Sequence, residues 1–461
     1  MRYIMKKFTD KRIISGAVWL GLGALAAKTI GALYRIPLTN LLGSYGLGLY
    51  QMVFPVYTLL LDFSGAGVPA ALSKLISSSS EIDRESVAYN YLKGSQRLLA
   101  VLGLIGTILM LTLSFPLSYL QGDKGAAVGY IFLAPSVFLV AVLSCYRGYF
   151  QGLMNMIPTA LSQVVEQVIK LTFGLIFCNL FMPDIQRAVA GATLAITLSE
   201  IAAVLLLYIV YQNRKRKIPQ TLNYNKTKFK GQIKNLIKVA IPVTLVGVML
   251  PLSHVIDSFT VVNVLKAYRE DATSLYGLMS GTACTVIHLP VAVCYGIATV
   301  AIPAVSSAKG YKDRTKKAVN TLLLTLAASI PAALLCYYAA PTIVKILFKS
   351  LSLAESQTAV NLIRTLSPTV VLLSLLQTSN AVLIGGGKLY VPVISLSVGL
   401  IVKTVLSIIL LKNPQINIYG SAIGLIACYF TVCLINLIVI SKERVEHADK
   451  RTVFRRRDCR E

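Results

Sequence analysis

"RKRKIPQTLNYNKTKFKGQIKNLIK", residues 214–238, decides how the chain is read. It carries nine Lys/Arg and no acidic residue, between two long apolar regions. Apolar runs of the length that crosses a bilayer, roughly 20 residues, lie on both sides of it. Six fall before it: 13–37, 47–73, 95–119, 126–150, 157–182 and 187–211. Six follow: 236–264, 274–304, 318–339, 357–385, 389–411 and 418–440. The composition fits that reading. Of 461 residues 55% are hydrophobic and only 14% charged, where soluble domains carry roughly 25% charged residues. The sequence therefore predicts an all-α integral membrane protein with about 12 transmembrane helices.

The gaps between runs set its expected orientation. Lys6, Lys7, Lys11 and Arg12 precede the first run, and Lys74, Arg84, Lys93 and Arg97 surround the second gap. "AKGYKDRTKK" (308–317) and the tail "KERVEHADKRTVFRRRDCRE" (442–461) continue the basic series. The alternate gaps are poor in cations: "LTNLLGSYGLG" (38–48) has none, and "LQGDKGAA" (120–127) and "PDIQRA" (183–188) one each. Positive charge stays on the cytoplasmic side of membrane proteins, so both termini are expected in the cytoplasm of a multi-pass plasma-membrane protein. The net charge of +26 is gathered in these gaps. It is not interleaved with aromatics, which argues against nucleic acid as a partner.

Similar text recurs in the two halves. "LYQMVFP" (49–55) with "GVPAALSK" (67–74) parallels "LYGLMSG" (275–281) with "AIPAVSSAK" (301–309). Six helices per half is an even number, so the repeat is parallel. The expectation is two six-helix lobes, 1–212 and 236–440, related by a pseudo-two-fold axis along the membrane normal. A basic linker, 213–235, joins them, and 441–461 is a basic tail. In such pairs the binding site lies between the lobes near midplane.

No enzyme motif survives inspection. "LIGGGK" (383–388) lacks the first glycine and the Ser/Thr of a phosphate loop. His254, His288 and His447 are scattered. The eight cysteines form no CxxC pair, so neither a metal site, a cofactor nor a disulfide framework is expected.

Ionisable residues at membrane depth carry the functional signal, because a charge there costs at least about 2.5–3.5 kcal/mol on insertion scales. Lys28 and Arg35 in "AAKTIGALYRIPLTN" (26–40) stand two helical turns apart on one face, with Gly31 between them. Both are candidates for binding an anion, Lys28 on helix geometry alone. Glu166 and Lys170 are spaced to pair at i,i+4, which leaves Glu166 either a partner of Lys170 or a candidate substrate contact in the cavity. Asp257 and Arg364 are further candidate substrate contacts, and Lys403 is a mid-span cation. Asp62 and Glu200 are candidate sites for a coupling ion.

Four stretches resemble the polysaccharide-transport members of the MOP exporter superfamily. They are "YRIPLTNLLGSYGLGLYQMVFPVYTLLLDFSGAGVPAALSK" (34–74), "RGYFQGLMNMIPTALSQVVEQVIK" (147–170), "PLSHVIDSFTV" (251–261) and "GGGKLYVPVISLSVGLIVKTVLSIILLKNPQINIYGSAIG" (385–424). Within it, the chain is most similar to the stage V sporulation protein B group and its MurJ-like lipid II flippase relatives. The resemblance implies two lobes in a V that open alternately to either side. It implies a lipid-linked oligosaccharide carried on undecaprenyl diphosphate, and a monomer whose remaining partners are membrane lipids. Arg35 in "YRIPL" falls at the position where such proteins use arginine to hold the diphosphate. Two departures are visible. "LMSGTACTVIHLP" (278–290) lacks the further arginine some relatives carry, and twelve helices are counted where such flippases usually have fourteen. The alternatives are an H⁺- or Na⁺-coupled multidrug exporter of the same superfamily and a non-transporting scaffold for envelope assembly.

Overall fold

The computed structural model describes the backbone of residues 2–458 apart from 64–66, 80–83, 217–228, 307–309 and 389. Side chains are described over most of 23–442. The described chain is all helix: α1 (Arg2–Leu61), α2 (Gly67–Ser77), α3 (Arg84–Thr112), α4 (Ser114–Leu120), α5 (Ala127–Gly152), α6 (Ile157–Phe181), α7 (Ile185–Lys215) and α8 (Phe229–Lys266). There follow α9 (Ala272–Tyr276), α10 (Cys284–Ser306), α11 (Tyr311–Tyr338), α12 (Ala340–Leu347), α13 (Leu353–Leu366), α14 (Pro368–Gly385), α15 (Tyr390–Leu411) and α16 (Tyr419–Asp458).

Ten helical stretches among the described residues are long and apolar enough to cross a bilayer. They match the third to twelfth runs of the sequence. The first run lies in α1, and the second begins in α1 and ends in α2; α1 is itself two helices meeting at Gly43. Gly43 has φ 66° and ψ −174°, a region that only glycine enters freely. The gap expected over 38–48 is thus helical on both sides of one residue, which makes the turn by its own dihedrals. Nothing stands within 4 Å of where its Cβ would be, so the backbone alone selects glycine. Gly43→Ala is expected to destabilise the protein by about 1–3 kcal/mol, read as a lowered unfolding midpoint in micelles.

Proline and capping groups set other boundaries. Pro368 begins α14 and separates it from α13, dividing what the sequence reads as one run. Ser352 and Glu355 form a reciprocal cap at the start of α13. The Ser352 N–H donates to Glu355 Oε2 at 2.9 Å, and the Glu355 N–H donates to Ser352 Oγ at 3.3 Å. Asp184 caps α7 by accepting from the Arg187 N–H at 3.1 Å.

By packing, the chain forms two compact units. One contains residues 1–282 with 347–355, and the other 283–346 with 356–461. In the first, α2, α3, α5 and α7 close a core of Leu72, Ile76, Leu92, Phe150 and Leu207, all fully buried. α3 turns Leu104, Ile105, Ile108 and Leu109 outward, the apolar face that lipid solvates. In the second, Ala298, Ala301, Val305, Ala318, Ala381 and Val382 bring α10, α11 and α14 together. Small residues let these helices approach closely. Lys403 is completely buried in this unit, on the side of α15 that meets α16.

Polar contacts fasten one end of the first unit. Gln121 is fully buried; its amide donates to Met52 O and Ser258 Oγ, both at 2.9 Å, and its Oε1 lies 2.8 Å from the Tyr130 hydroxyl. Asp123 accepts from Thr273 Oγ1 at 2.8 Å and Tyr45 OH at 3.3 Å. Asn263 donates to Leu120 O at 2.6 Å, and Lys266 donates to Gly122 O. Gln121→Leu would strand several of these buried groups. It is expected to cost about 1–3 kcal/mol, measured as unfolding free energy.

Glu355, outside the candidate spans, adds a pH-sensitive contact by accepting from the Ser44 hydroxyl. Burial pushes its carboxyl up, but hydrogen bonds from Ser44 and from the Ser352 N–H and hydroxyl outweigh it, holding Glu355 below its ordinary value. A depressed carboxylate stabilises the fold above its unfolded pKa. That contribution disappears as pH falls through the lower folded value. Wild type should therefore melt above Glu355→Gln at neutral pH, with the gap closing in acid.

Candidate functional site

The charges of the first unit meet where the second arm of α1 packs near α5, α6 and α7. Tyr50, Phe54 and Tyr57 recur on one face of that arm, with ring centroids 5.6 and 6.0 Å apart in succession. Two cations lie near the middle ring. The Arg35 guanidinium carbon is 6.0 Å from the Phe54 centroid, and Lys170 Nζ is 4.9 Å from it. Lys170 also lies 5.9 Å from the ring of Tyr34. A ring quadrupole attracts cations at such distances, so one phenylalanine holds two like charges that would otherwise spread apart. Tyr34 is itself buried because Gly174 leaves room: a Cβ there would stand 2.3 Å from its hydroxyl.

A second cluster lies further along the same helices. Arg147 on α5 and Glu166 on α6 form an ion pair at 2.8 Å, each side chain 17% exposed. Arg147 Nε donates to Ser162 Oγ at 3.1 Å, and the Gln167 amide donates to Glu166 Oε1 at 3.1 Å. Glu200 on α7 is 3% exposed. It accepts from the Tyr57 hydroxyl at 3.2 Å through Oε1. Among the described residues its Oε2 has no hydrogen-bond partner, nor has Gln163 Oε1. Arg147, Glu166, Glu200, Gln163, Gln151 and Ser144 line a cavity of about 310 Å³. Two orphaned acceptors facing one cavity suit a small cation or a proton, since a buried oxygen without a donor is costly.

The sequence candidates are thereby placed. Arg35, Glu166 and Glu200 come together in this region. The Lys28 side chain lies outside the described residues. Glu166 takes its ion partner from α5, and Lys170, one turn along α6, sits over the aromatic rings. Asp62 is half-buried where the second arm of α1 leaves regular α geometry, next to Leu61 of the cavity wall. Asp257 is buried on α8 beside Ser258, which accepts from Gln121. Arg364 belongs to the second unit and lies 5.9 Å from the Tyr337 ring. Among the described residues no His/Cys/Asp/Glu cluster suits a metal ion.

Arg147 and Phe54 were not singled out from the sequence, and Lys170 stood there as a charge at membrane depth spaced to pair with Glu166. Arg147 is near the end of its span, where a cation reads as a loop charge. Its signal was that Glu166, on the following helix, needed a counter-ion. The i,i+4 spacing concealed Lys170 by giving it a local partner.

A helical membrane fold with charged groups buried inside its first unit defines a class, and the class is found among solved structures. The chain superposes on the inward-facing conformation of a multidrug resistance MATE family transporter of the MOP superfamily. The TM-score is 0.77 at 17% identity, covering 92% of this chain and 96% of that one. A MOP superfamily transporter from Pyrococcus furiosus, described as having a binding pocket of reverse polarity, matches with TM-score 0.63 at 18% identity over 92% and 93%. The chain thus has the two-lobed MOP fold. It belongs to the polysaccharide biosynthesis protein family, whose model matches residues 13–309. It is 27% identical to stage V sporulation protein B of Bacillus subtilis over 441 residues, 93% of this chain and 83% of that protein. It is likewise 27% identical to the lipid II flippase MurJ of Bacillus subtilis over 444 residues, 91% and 81% respectively.

Proposed function

We propose that this protein is a flippase that moves a saccharide linked to undecaprenyl diphosphate, of the lipid II kind used for cell wall or spore cortex, to the outer leaflet. The observation that carries this reading is that Arg35 and Lys170 both lie within about 6 Å of the Phe54 ring. A diphosphate needs positive donors at membrane depth. Arg offers a planar fork matched to phosphate oxygens, and Lys a point charge. Lys28, by its spacing from Arg35 in the sequence alone, Asp257 and Arg364 are further candidate substrate contacts. Glu166 acts by holding Arg147.

The two six-helix lobes, joined by the linker 213–235 and with both termini cytoplasmic, would alternate access to either side. No catalysis is involved. Outward movement of a negative headgroup gains about 2.3 kcal/mol per charge per 100 mV if it crosses the whole field uncompensated. The name of one relative, the lipid II flippase MurJ, supports the substrate class. Growth of a Gram-positive strain depleted of its own lipid II flippase tests it: the wild-type gene should restore growth and the Arg35→Ala gene should not.

A second reading is favoured by the Glu200 cavity. An exporter driven by H⁺ or Na⁺ would use Glu200 and Asp62 as coupling groups, and the multidrug transporter noted above shares the fold. Cations at Arg35 and Lys170 disfavour cationic drugs as its substrates. Within the flippase reading the same cavity would serve as a coupling site.

A further inference from the structure

The second unit contains a groove that the transport reading does not use. It has a volume of about 610 Å³ and lies between α11, α14 and α16. Ala318, Val319, Leu322, Leu375, Leu434 and Leu437 are typical of its lining. Polar groups gather at one end. Arg314 and Thr315 begin α11, and Ser441 comes at the far end of the membrane stretch of α16. Arg314 donates to Gly386 O at 2.9 Å, so the end of α14 lies at the same level. Lys317 is paired with Asp313 at 2.9 Å, and the exposed Lys442 adds positive charge there.

Length decides what such a groove can hold. From Phe430 to Ile440 along α16 is ten residues, about 15 Å at 1.5 Å per residue. That is half of a hydrocarbon core of about 30 Å. A crossing helix of another protein or a second copy would need the full thickness. A single acyl chain of one leaflet needs half, and it brings its phosphate to the basic end. We propose that this groove binds one acyl chain of an acidic phospholipid, with the phosphate held by the Arg314 guanidinium. The charge at the mouth selects an anionic headgroup, and the apolar wall selects a chain. The inference is independent of what the protein transports.

Native mass spectrometry of the full-length protein, stripped of lipid and then offered phosphatidylglycerol or phosphatidylcholine, tests it. Wild type should retain one phosphatidylglycerol in preference. Arg314→Gln should lower that preference about fivefold, the effect of one basic residue near the membrane surface. Leu434→Trp, at a half-exposed position on the wall, should weaken retention of the chain itself. In unmodified wild type, phosphatidylglycerol bearing a photoreactive acyl chain should label residues 430–441. Equal retention of both lipids, an unchanged preference in Arg314→Gln, labelling elsewhere, or a second protein chain seated on 430–441 would each overturn the assignment.

Discussion

Arg147→Ala should destabilise the protein by about 1–3 kcal/mol, the usual consequence of leaving a partly buried, hydrogen-bonded charge without its partner. Glu166 is 17% exposed, and its remaining hydrogen bond once Arg147 is gone is from the Gln167 amide. The Ser162 hydroxyl loses its Arg147 donor, retaining its bond to Thr159 O at 2.8 Å. Removing both charges with groups of similar size, Arg147→Met with Glu166→Leu, should recover most of the loss, because an apolar pair also satisfies such a site. Unfolding free energies of the four proteins in micelles give the coupling directly. A single-variant loss below about 1 kcal/mol, the range of solvent-exposed pairs, would mean that water reaches the pair and that it does not brace α5 against α6.

Arg35→Ala is the second large effect, on transport and not on folding. Arg35 is half-buried and lies beside Phe54, with no ion pair among the described residues to break. A hydrogen bond to a charged group is worth about 1.5–3 kcal/mol, so the rate of lipid transfer should fall roughly 10- to 150-fold. Lys170→Ala should fall in the same range. Arg35→Lys should retain part of the activity, since it keeps the charge and loses the fork. Unfolding midpoints close to wild type would separate this outcome from misfolding.

The fold was legible because a membrane span announces itself by length and apolarity, and the basic gaps locate its ends. Single residues with unusual dihedrals were less visible. The turn at Gly43 has no loop around it, so run-counting placed a gap where the chain stays helical. Pro368 divided one apolar run into two helices for a reason that is local and readable afterwards. At the site, Arg35, Glu166 and Glu200 stood out because each is expensive in an apolar helix. Their partners did not, since Arg147 and Tyr57 come from neighbouring helices, and packing between helices leaves no mark in spacing along one of them.

The central claim concerns what crosses the membrane. Purified wild type in proteoliposomes, given a labelled undecaprenyl-diphosphate saccharide in one leaflet, should bring the label to the other leaflet far faster than protein-free vesicles or Arg35→Ala. Wild-type vesicles that leave the lipid in place, yet move a lipophilic cation when an H⁺ or Na⁺ gradient is imposed, would contradict it.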